Sequence, residues 1–204
     1  MISMYIGSGD VAALLSGKDT QTHQKLLQRF VSGEKPYYNA KSSPIDALRT
    51  GAILEDRYLL TLPDNFFSQW VVVSKDMDVF KCSLDFAKIE NGEVVDFDEL
   101  KSIYLSDYLD MINLNYDALL AHIKKKYKNY YNQIQEQLYC TELDECNLVF
   151  LSVTSYNDEE NYKRDIQPNE YMKVRIYRDE EVINRIKERG QIFQQIKDNY
   201  VTKN

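Results

Sequence analysis

Two largely apolar runs joined by a four-residue turn constrain the fold of this chain more than any other stretch. The runs extend from Val79 to Ile89 and from Val94 to Ile103, and Glu-Asn-Gly-Glu occupies positions 90–93 between them. An Asn-Gly pair between strand-like runs is typical of a tight β-hairpin turn. The sequence therefore predicts an antiparallel hairpin around which the other elements pack.

Three charged residues of the predicted hairpin can form one polar cluster. Asp85 lies on the first strand, and Glu99 and Lys101 lie on the second. Because side chains alternate along a strand, Glu99 and Lys101 share a face, while Leu100 points into apolar packing on the other face. A neighbouring strand that carries Asp85 would bring two carboxylates and an ammonium group together.

This set of side chains suits metal-assisted hydrolysis of a phosphodiester. Two carboxylates can hold a magnesium ion and leave its other positions to water and phosphate oxygens. The ion lowers the pKa of a bound water and offsets charge on the phosphoryl group, and a lysine can orient that water or stabilise the transition state. Glu-x-Lys also occurs on solvated strand faces, and Asp85 could end a strand or cap a turn, so an ordinary strand face is the alternative.

The composition is that of a soluble globular protein with one domain. The chain has 204 residues, of which 44% are hydrophobic and 28% are charged. Its net charge is -7, so binding to nucleic acid would require a local concentration of positive charge. No segment approaches the ~20 apolar residues of a membrane span, and no secretion signal is recognisable, which predicts a cytoplasmic protein with no membrane partner.

Cysteine usage predicts the same compartment. The three cysteines, Cys82, Cys140 and Cys146, include no Cys-x-x-Cys pair and no cysteine and histidine cluster with zinc spacing. An odd number without paired spacing predicts reduced thiols in an intracellular protein. The same pattern argues against an iron-sulfur site.

The first segments of the chain are predicted to be helical. Gly-Ser-Gly-Asp at 7–10 precedes the apolar run Val11 to Leu15, so Ser8 or Asp10 is predicted to cap a helix. A helix start of this kind can bind a phosphate group, although an ordinary cap has the same sequence. A second, amphipathic helix is predicted over Thr20 to Val31.

A third helix is predicted to begin at the Ser-Pro-Ile-Asp segment of 43–46, because serine, proline and an acidic residue suit the first helical positions. This helix carries Gly51 and Glu55 four residues apart on one face. A glycine inside a helix costs about 1 kcal/mol against alanine, so Gly51 is interpreted as the close approach of another backbone. Glu55 would then lie one turn beyond that contact, or be an ordinary exposed glutamate.

The remaining segments alternate between strand and helix patterns. A buried strand is predicted over Trp70 to Ser74, and further strands are predicted over Cys146 to Val153 and Glu170 to Tyr177. Helices are predicted from Ser106 or Asp107 toward Leu120, over Tyr127 to Thr141, and over Arg178 to Val201.

Residues on the predicted helix of 127–141 complete the set of candidate site residues. Tyr130 and Gln133 lie three residues apart and hence on one helix face. Lysines at 124, 125, 126 and 128 either contact phosphates or form a solvated turn. The patterns together predict a single α/β domain over 1–204 with a mixed β-sheet flanked by helices, on which the N-terminal helices of 1–35 and the C-terminal helix of 178–201 pack.

In this order the motifs resemble the YqaJ-like viral recombinases, the lambda exonuclease family of the PD-(D/E)XK nuclease superfamily. The resemblance covers nearly the whole chain. Its motifs are a GSxD-type helix start at 7–10, G-x-x-x-E at Gly51 and Glu55, a strand aspartate at Asp85, E-x-K at 99–101, and Y-x-x-Q-x-Q at Tyr130, Gln133 and Gln135. The chain departs from the family pattern around Asp85, where Leu84 and Phe86 replace proline and glycine, and Asp96 and Asp98 add negative charge near the site.

The resemblance implies a restriction-endonuclease-like core and a role for each matching residue. Asp85, Glu99 and the main-chain carbonyl of Leu100 would bind Mg²⁺, with Mn²⁺ as the alternative ion. Lys101 would orient the attacking water or stabilise charge. The residues expected to support them are Glu55 as a further carboxylate, Gln133 as a polar contact of the site, and Ser8, Tyr130 and Gln135 as substrate contacts.

The function implied by the resemblance is a metal-dependent deoxyribonuclease of phage-type recombination. It would digest one strand of linear duplex DNA from a free 5′ end and pass the exposed strand to a single-strand annealing protein, in the host cytoplasm if the gene belongs to a phage. A ring-shaped homotrimer is the implied assembly. An endonuclease on the same scaffold and a catalytically inactive, nuclease-like DNA-binding protein are the alternatives.

Overall fold

The computed structural model describes residues 4–34, 46–157 and 159–203. Two short 3-10 turns, Ser8–Asp10 and Glu159–Tyr162, accompany the helices and strands. In chain order the helices and strands are β1 (Ile6–Gly7), α1 (Val11–Leu14), α2 (Gln21–Ser32), α3 (Asp46–Leu59), β2 (Phe66–Val73), β3 (Phe80–Glu90), β4 (Glu93–Tyr104), α4 (Leu105–Met111), α5 (Tyr116–Lys126), α6 (Lys128–Thr141), β5 (Glu145–Val153), β6 (Tyr171–Tyr177) and α7 (Glu180–Lys203).

The predicted hairpin is confirmed and forms the centre of a mixed sheet. β3 and β4 are antiparallel, and their turn places Asn91 at φ 52° and Gly92 at φ 84°, the left-handed backbone that Asn-Gly turns supply. β4 pairs with β5 in parallel, and β6 closes that side antiparallel to β5. β2 runs antiparallel to β3, and β1 pairs in parallel with the first two residues of β3.

Helices cover both faces of the sheet, which confirms the predicted α/β class. One apolar core contains buried residues of α1, α2, α6 and α7 together with Phe97 and Ile103 of β4. A second core contains Leu54 and Tyr58 of α3 and Leu100 of β4. Because alternate residues of β4 face different cores, Glu99 and Lys101 lie on the α6 face and Leu100 lies on the α3 face, as predicted.

The first and last helices meet within the larger core. Thr20 caps α2 by accepting a hydrogen bond from the His23 main-chain N–H at 3.3 Å. Phe30 of α2 packs edge-on against Phe193 of α7, with 5.1 Å between ring centroids. In the part of the chain described, no helix has the length and apolar character required to cross a membrane.

Three local predictions are corrected by the structure. The strand at Trp70 is not buried: Trp70, Val71 and Val73 are 37%, 51% and 40% exposed, because β2 is an edge strand that pairs only with β3 within the described residues. A Cβ atom on Gly51 would meet nothing within 4 Å, so within the described ranges no backbone approaches this glycine closely.

The third correction concerns the helix predicted toward Leu120. It is divided into α4 and α5, and α5 has its own cap at Asn115, whose side chain accepts a hydrogen bond from the Ala118 N–H at 3.0 Å. The predicted start of α3 at Ser43 and Pro44 lies outside the described residues, and the helix is described from Asp46.

Candidate active site

The hairpin strands separate at Asp85, and this gap forms the candidate site. The ladder between β3 and β4 pairs Phe86 with Asp98 as its last described pair on this side. Beyond it, the Leu100 main-chain N–H donates a hydrogen bond to the Asp85 side-chain Oδ2 at 3.0 Å. A side chain therefore takes the place of a strand carbonyl, and the two strands are held apart there.

The course of β3 changes at the same residue. Leu84 belongs to the core on the α6 face, whereas Phe86 belongs to the core on the α3 face. Gln69 of β2, the residue opposite Asp85, has a left-handed φ of 54°. These departures from regular alternation place the Asp85 carboxylate in the gap.

Glu99 is the centre of a buried hydrogen-bond network on the α6 face. Its side chain is 1% exposed, and its Oε1 accepts from Lys101 Nζ at 2.6 Å and from Gln133 Nε2 at 2.5 Å. Its Oε2 accepts from Gln137 Nε2 at 2.8 Å. Gln133 and Gln137 are one helical turn apart on α6, so the helix presents both amides to one carboxylate.

The two carboxylates share a low-dielectric environment. Burial raises the pKa of Asp85, the nearby Glu99 raises it further, and Glu55 adds to the effect, against the opposing influence of Lys101 and the Leu100 N–H. Burial alone would lower the pKa of Lys101, but Glu99 and Asp85 outweigh burial and raise it. The lysine therefore stays protonated, and it faces two carboxyl groups, Asp85 and Glu99.

Glu55 reaches the cluster from α3 and is half-buried, so it is not an ordinary exposed glutamate. Gln69 Nε2 donates to Glu55 Oε2 at 3.4 Å, and Gln69 Oε1 accepts from Ser83 Oγ at 3.0 Å. These two hydrogen bonds connect Glu55 of α3 with Gln69 of β2 and Ser83 of β3, beside Asp85.

Oxygen atoms suited to a hard divalent cation remain available in the gap. Asp85 Oδ1 accepts no hydrogen bond from a described residue, and Glu99 Oε2 accepts one of the two it can hold. Because the N–H and C=O of one strand residue face the same edge, the Leu100 carbonyl points toward Asp85 with its N–H. This donor set fits Mg²⁺ or Mn²⁺, which prefer oxygen ligands.

Tyr130 lies beside the cluster, whereas Gln135 does not. Lys101 Nζ is 5.5 Å from the centroid of the Tyr130 ring. Gln135 is fully buried; its Nε2 donates to the Tyr177 carbonyl at 3.0 Å, and its Oε1 accepts from the Asp179 N–H at 2.7 Å. Two helix positions correspond to about 200° around the axis, so Gln135 points away from the side that carries Gln133.

Gln135 therefore does not lie at the site where a substrate contact was predicted. Gln137 lies there instead, because its amide donates to Glu99. Gln137 lies four residues after Gln133, and this helical spacing is the signal by which the sequence could have revealed it. Tyr130, Gln133 and Gln137 lie on the face of α6 that packs against the sheet at the gap.

Asp96 and Asp98 do not crowd this cluster. Asp98 projects to the opposite face of β4, where it accepts hydrogen bonds of 2.7 Å each from Tyr58 Oη, Asn147 Nδ2 and Lys173 Nζ. Asp96 pairs with Arg175. The added negative charge is neutralised away from the gap, because successive strand residues face opposite sides.

Ser8 lies in the wall of a cavity of about 500 Å³ at the start of β3. Lys81 and Ser83 of β3 line the same cavity, as does Arg29 of α2, which forms an ion pair with Asp10. Ser83 also donates a hydrogen bond to Gln69, the residue opposite Asp85 on β2. Arg29 and Lys81, which the sequence patterns did not single out, bring positive charge to this cavity, and Asp10 and Glu34 line it as well.

The mixed sheet flanked by helices matches the fold of solved exonuclease structures. The chain is similar to an alkaline exonuclease, LHK-Exo, from Laribacter hongkongensis, with a TM-score of 0.63 and 18% identity over 98% of this chain and 92% of that one. LHK-Exo in complex with dAMP matches with a TM-score of 0.61, at 17% identity and the same coverage.

A phage-related exonuclease from Haemophilus somnus 129PT is similar to the same extent. It matches with a TM-score of 0.61 and 16% identity over 98% of this chain and 96% of that one. No family model and no curated protein matches the chain. The resemblance inferred from the ordered motifs is thus confirmed at the level of the fold.

Proposed function

We propose that this protein is a magnesium-dependent deoxyribonuclease that digests linear duplex DNA from a 5′ end. The observation that carries the proposal is the convergence of Asp85, Glu99 and Lys101 in the gap between β3 and β4. The fold shared with solved exonucleases supports the same reaction class. The substrate would be duplex DNA with a free end.

Asp85, Glu99 and the Leu100 carbonyl are the residues that would hold the ion. When bound, Mg²⁺ activates a water molecule and offsets charge on the phosphoryl oxygens. Gln133 and Gln137 position Glu99 by donating to both of its oxygens. Without them only Lys101 would hold the carboxylate, so their role is to fix the direction of its lone pairs.

Lys101 is proposed to act as a hydrogen-bond donor rather than as a base. Its neighbours raise its pKa, so it stays protonated at neutral pH and can orient the attacking water or stabilise negative charge on the phosphate. Glu55 is a nearby carboxylate outside the hydrogen-bond network of Glu99. We assign it to the side of the site from which the attacking water would approach. Tyr130 would contact the substrate beside Lys101.

The cavity at Ser8 is proposed to hold the 5′-phosphate. Arg29 and Lys81 supply positive charge beside the carboxylates of Asp10 and Glu34, which also line the cavity, and the Ser8 hydroxyl supplies a neutral hydrogen bond. Because Ser83 lines this cavity and donates a hydrogen bond to Gln69, the residue opposite Asp85, we infer that a strand whose end occupies the cavity would present its first phosphodiester toward Asp85. This placement favours attack at an end over attack within a strand.

The proposal also includes the assembly and setting implied by the resemblance. The chain would act as a single nuclease domain in a homotrimer that encircles the duplex. It would work in the cytoplasm and pass the exposed strand to a single-strand annealing protein.

The decisive assay is digestion of linear duplex DNA labelled separately at its 5′ and 3′ ends, beside a closed circular control. We expect Mg²⁺-dependent loss of the 5′ label with the circle intact. Asp85→Asn should remove the activity, and the exposed Asp144→Asn should keep it. Nicking of the circle would establish an endonuclease, and no cleavage with Mg²⁺ or Mn²⁺ would indicate a DNA-binding protein.

A further inference from the structure

Three buried metal-ligand side chains meet between β3 and α6, outside the oxygen-rich gap. Cys82 of β3 is 1% exposed, and Glu136 and Cys140 of α6 are 0% and 2% exposed. One ligand atom from each residue lies within 4.8 Å of the other two. The Cys140 thiol donates to Glu136 Oε1 at 3.1 Å, so the three groups already face one another.

The carboxylate of this group is incompletely satisfied. Glu136 Oε2 is buried and has no hydrogen-bond partner among the residues that the structure describes. Buried polar atoms are almost always paired, because an unpaired one forfeits its hydration without compensation. The orphaned oxygen lies beside the thiols of Cys82 and Cys140, so an incoming cation is the partner that this group of side chains can accept.

We propose that Cys82, Glu136 and Cys140 bind a thiophilic divalent cation of the Zn²⁺ class. Thiolate sulfur and carboxylate oxygen are both established zinc ligands, at about 2.3 Å and about 2.0–2.2 Å. A tetrahedral ion with those bond lengths needs its sulfur ligands about 3.8 Å apart, so atoms already within 4.8 Å require only small rotations of their side chains. Mg²⁺ is a poor occupant, because thiolates select soft ions.

The surroundings provide an entry route and a fourth ligand position. Cys82 also lines the cavity of about 500 Å³ that contains Ser8. An ion can approach from this cavity, and water or an anion in it can complete the tetrahedron. Binding would release the thiol protons to solvent, since the thiolate is the ligand form.

Metal binding here would connect the two elements that form the candidate active site. Cys82 lies on the strand that carries Asp85, and Glu136 and Cys140 lie on the helix that carries Gln133 and Gln137. A ligand that binds only the folded state stabilises it by mass action. The loaded protein is therefore expected to unfold at a higher temperature than the metal-free protein.

The test is a titration of the reduced, metal-free full chain with Cd²⁺ in excess Mg²⁺, followed by the ultraviolet absorption of the cadmium-thiolate bond. We expect one equivalent to bind with this signal in the parent chain. Cys82→Ser and Cys140→Ser should lose the signal, and Glu136→Gln should weaken binding at least tenfold. The matched control is Cys146→Ser, which alters the third buried cysteine, on β5. This variant should retain the cadmium-thiolate absorption.

Three results would overturn the proposal: no thiolate signal in the parent chain, a signal that survives in Cys82→Ser and Cys140→Ser, or loss of the signal in Cys146→Ser or Asp85→Asn. A second measurement uses only the unaltered chain, so its result does not depend on whether the variants fold. X-ray absorption at the zinc edge should show two sulfur neighbours at about 2.3 Å and an oxygen neighbour at about 2.0–2.2 Å. A shell of oxygen and nitrogen alone would reject the site.

Discussion

Glu99 and Asp98 are consecutive acids on β4, both buried, yet their environments differ. Asp98 accepts hydrogen bonds from Tyr58, Asn147 and Lys173 on the α3 face. Glu99 is also hydrogen-bonded, but a second carboxylate, Asp85, lies beside it in a gap of the sheet. Burial of an acid therefore does not by itself mark a functional site.

The two clusters differ in how their charge is balanced. On the Asp98 side one carboxylate meets one ammonium group and two neutral donors, so its charge is neutralised within the protein. On the Glu99 side Lys101 faces two carboxylates, with Glu55 close by, and Asp85 Oδ1 accepts no hydrogen bond from the part of the chain that the structure describes. We interpret the balanced cluster as structural and the unbalanced one as the cation-binding and catalytic cluster.

The largest effect is expected for Lys101→Ala. Loss of the donor should lower Mg²⁺-dependent hydrolysis about 10³-fold, the upper range for one transition-state donor, and leave DNA binding largely intact. End-labelled digestion and a melting curve measure both consequences. The matched control is Lys75→Ala, which removes a lysine whose side chain is 80% exposed. Full activity in Lys101→Ala would eliminate the proposed role.

Asp98→Ala should affect stability instead of catalysis. Removing the carboxylate leaves the buried Tyr58 hydroxyl and the Asn147 amide without their acceptor, so the free energy of unfolding should fall by about 3 kcal/mol. Urea denaturation measures this loss, and digestion at low temperature should proceed within a few-fold of the parent rate. If activity fell as far as in Lys101→Ala while the fold persisted, the division between the two clusters would be wrong.

Gln137→Ala sharpens the comparison within the Glu99 cluster. This residue is expected to position Glu99, so its loss should reduce activity about tenfold or somewhat more and lower the apparent affinity for Mg²⁺. A Mg²⁺ titration of the rate detects the change. Gln135→Ala is the control on the same helix, because it bonds Tyr177 and Asp179 and should lower the melting temperature rather than the apparent metal affinity.

The smallest effect is expected for Ser8→Ala, in the wall of the cavity. Arg29 and Lys81 remain, so the preference for 5′-phosphorylated over unphosphorylated ends should fall only a few-fold. Rates on the two substrates give this ratio directly. Equal cutting of both substrates by the parent protein would remove the basis for a phosphate role at Ser8.

Features set by near neighbours in the chain could be predicted from the sequence. The Asn91-Gly92 turn and the alternation that puts Glu99 and Lys101 on one face depend on backbone preferences within a few residues. The cap at Thr20 and the course of α6 are local in the same sense. These patterns were sufficient to predict the sheet class and three residues of the candidate site.

Other features were decided only by the tertiary structure, because they depend on contacts between distant segments. The exposure of β2 follows from its position at the sheet edge, and the direction of Gln135 follows from how α6 is rotated against the sheet. The bond from the Leu100 N–H to Asp85, which opens the gap, requires β3 to change course beside β4.

The meeting of Cys82 with Cys140 across β3 and α6 has the same origin. Spacing rules predict metal ligands that lie close together in the chain, whereas these two belong to different elements. By itself the sequence determined the hairpin and the order of charged groups along it. Packing determined which of those groups share a site and which have their charge neutralised. Burial and the pairing of charges between distant segments are properties of the folded chain.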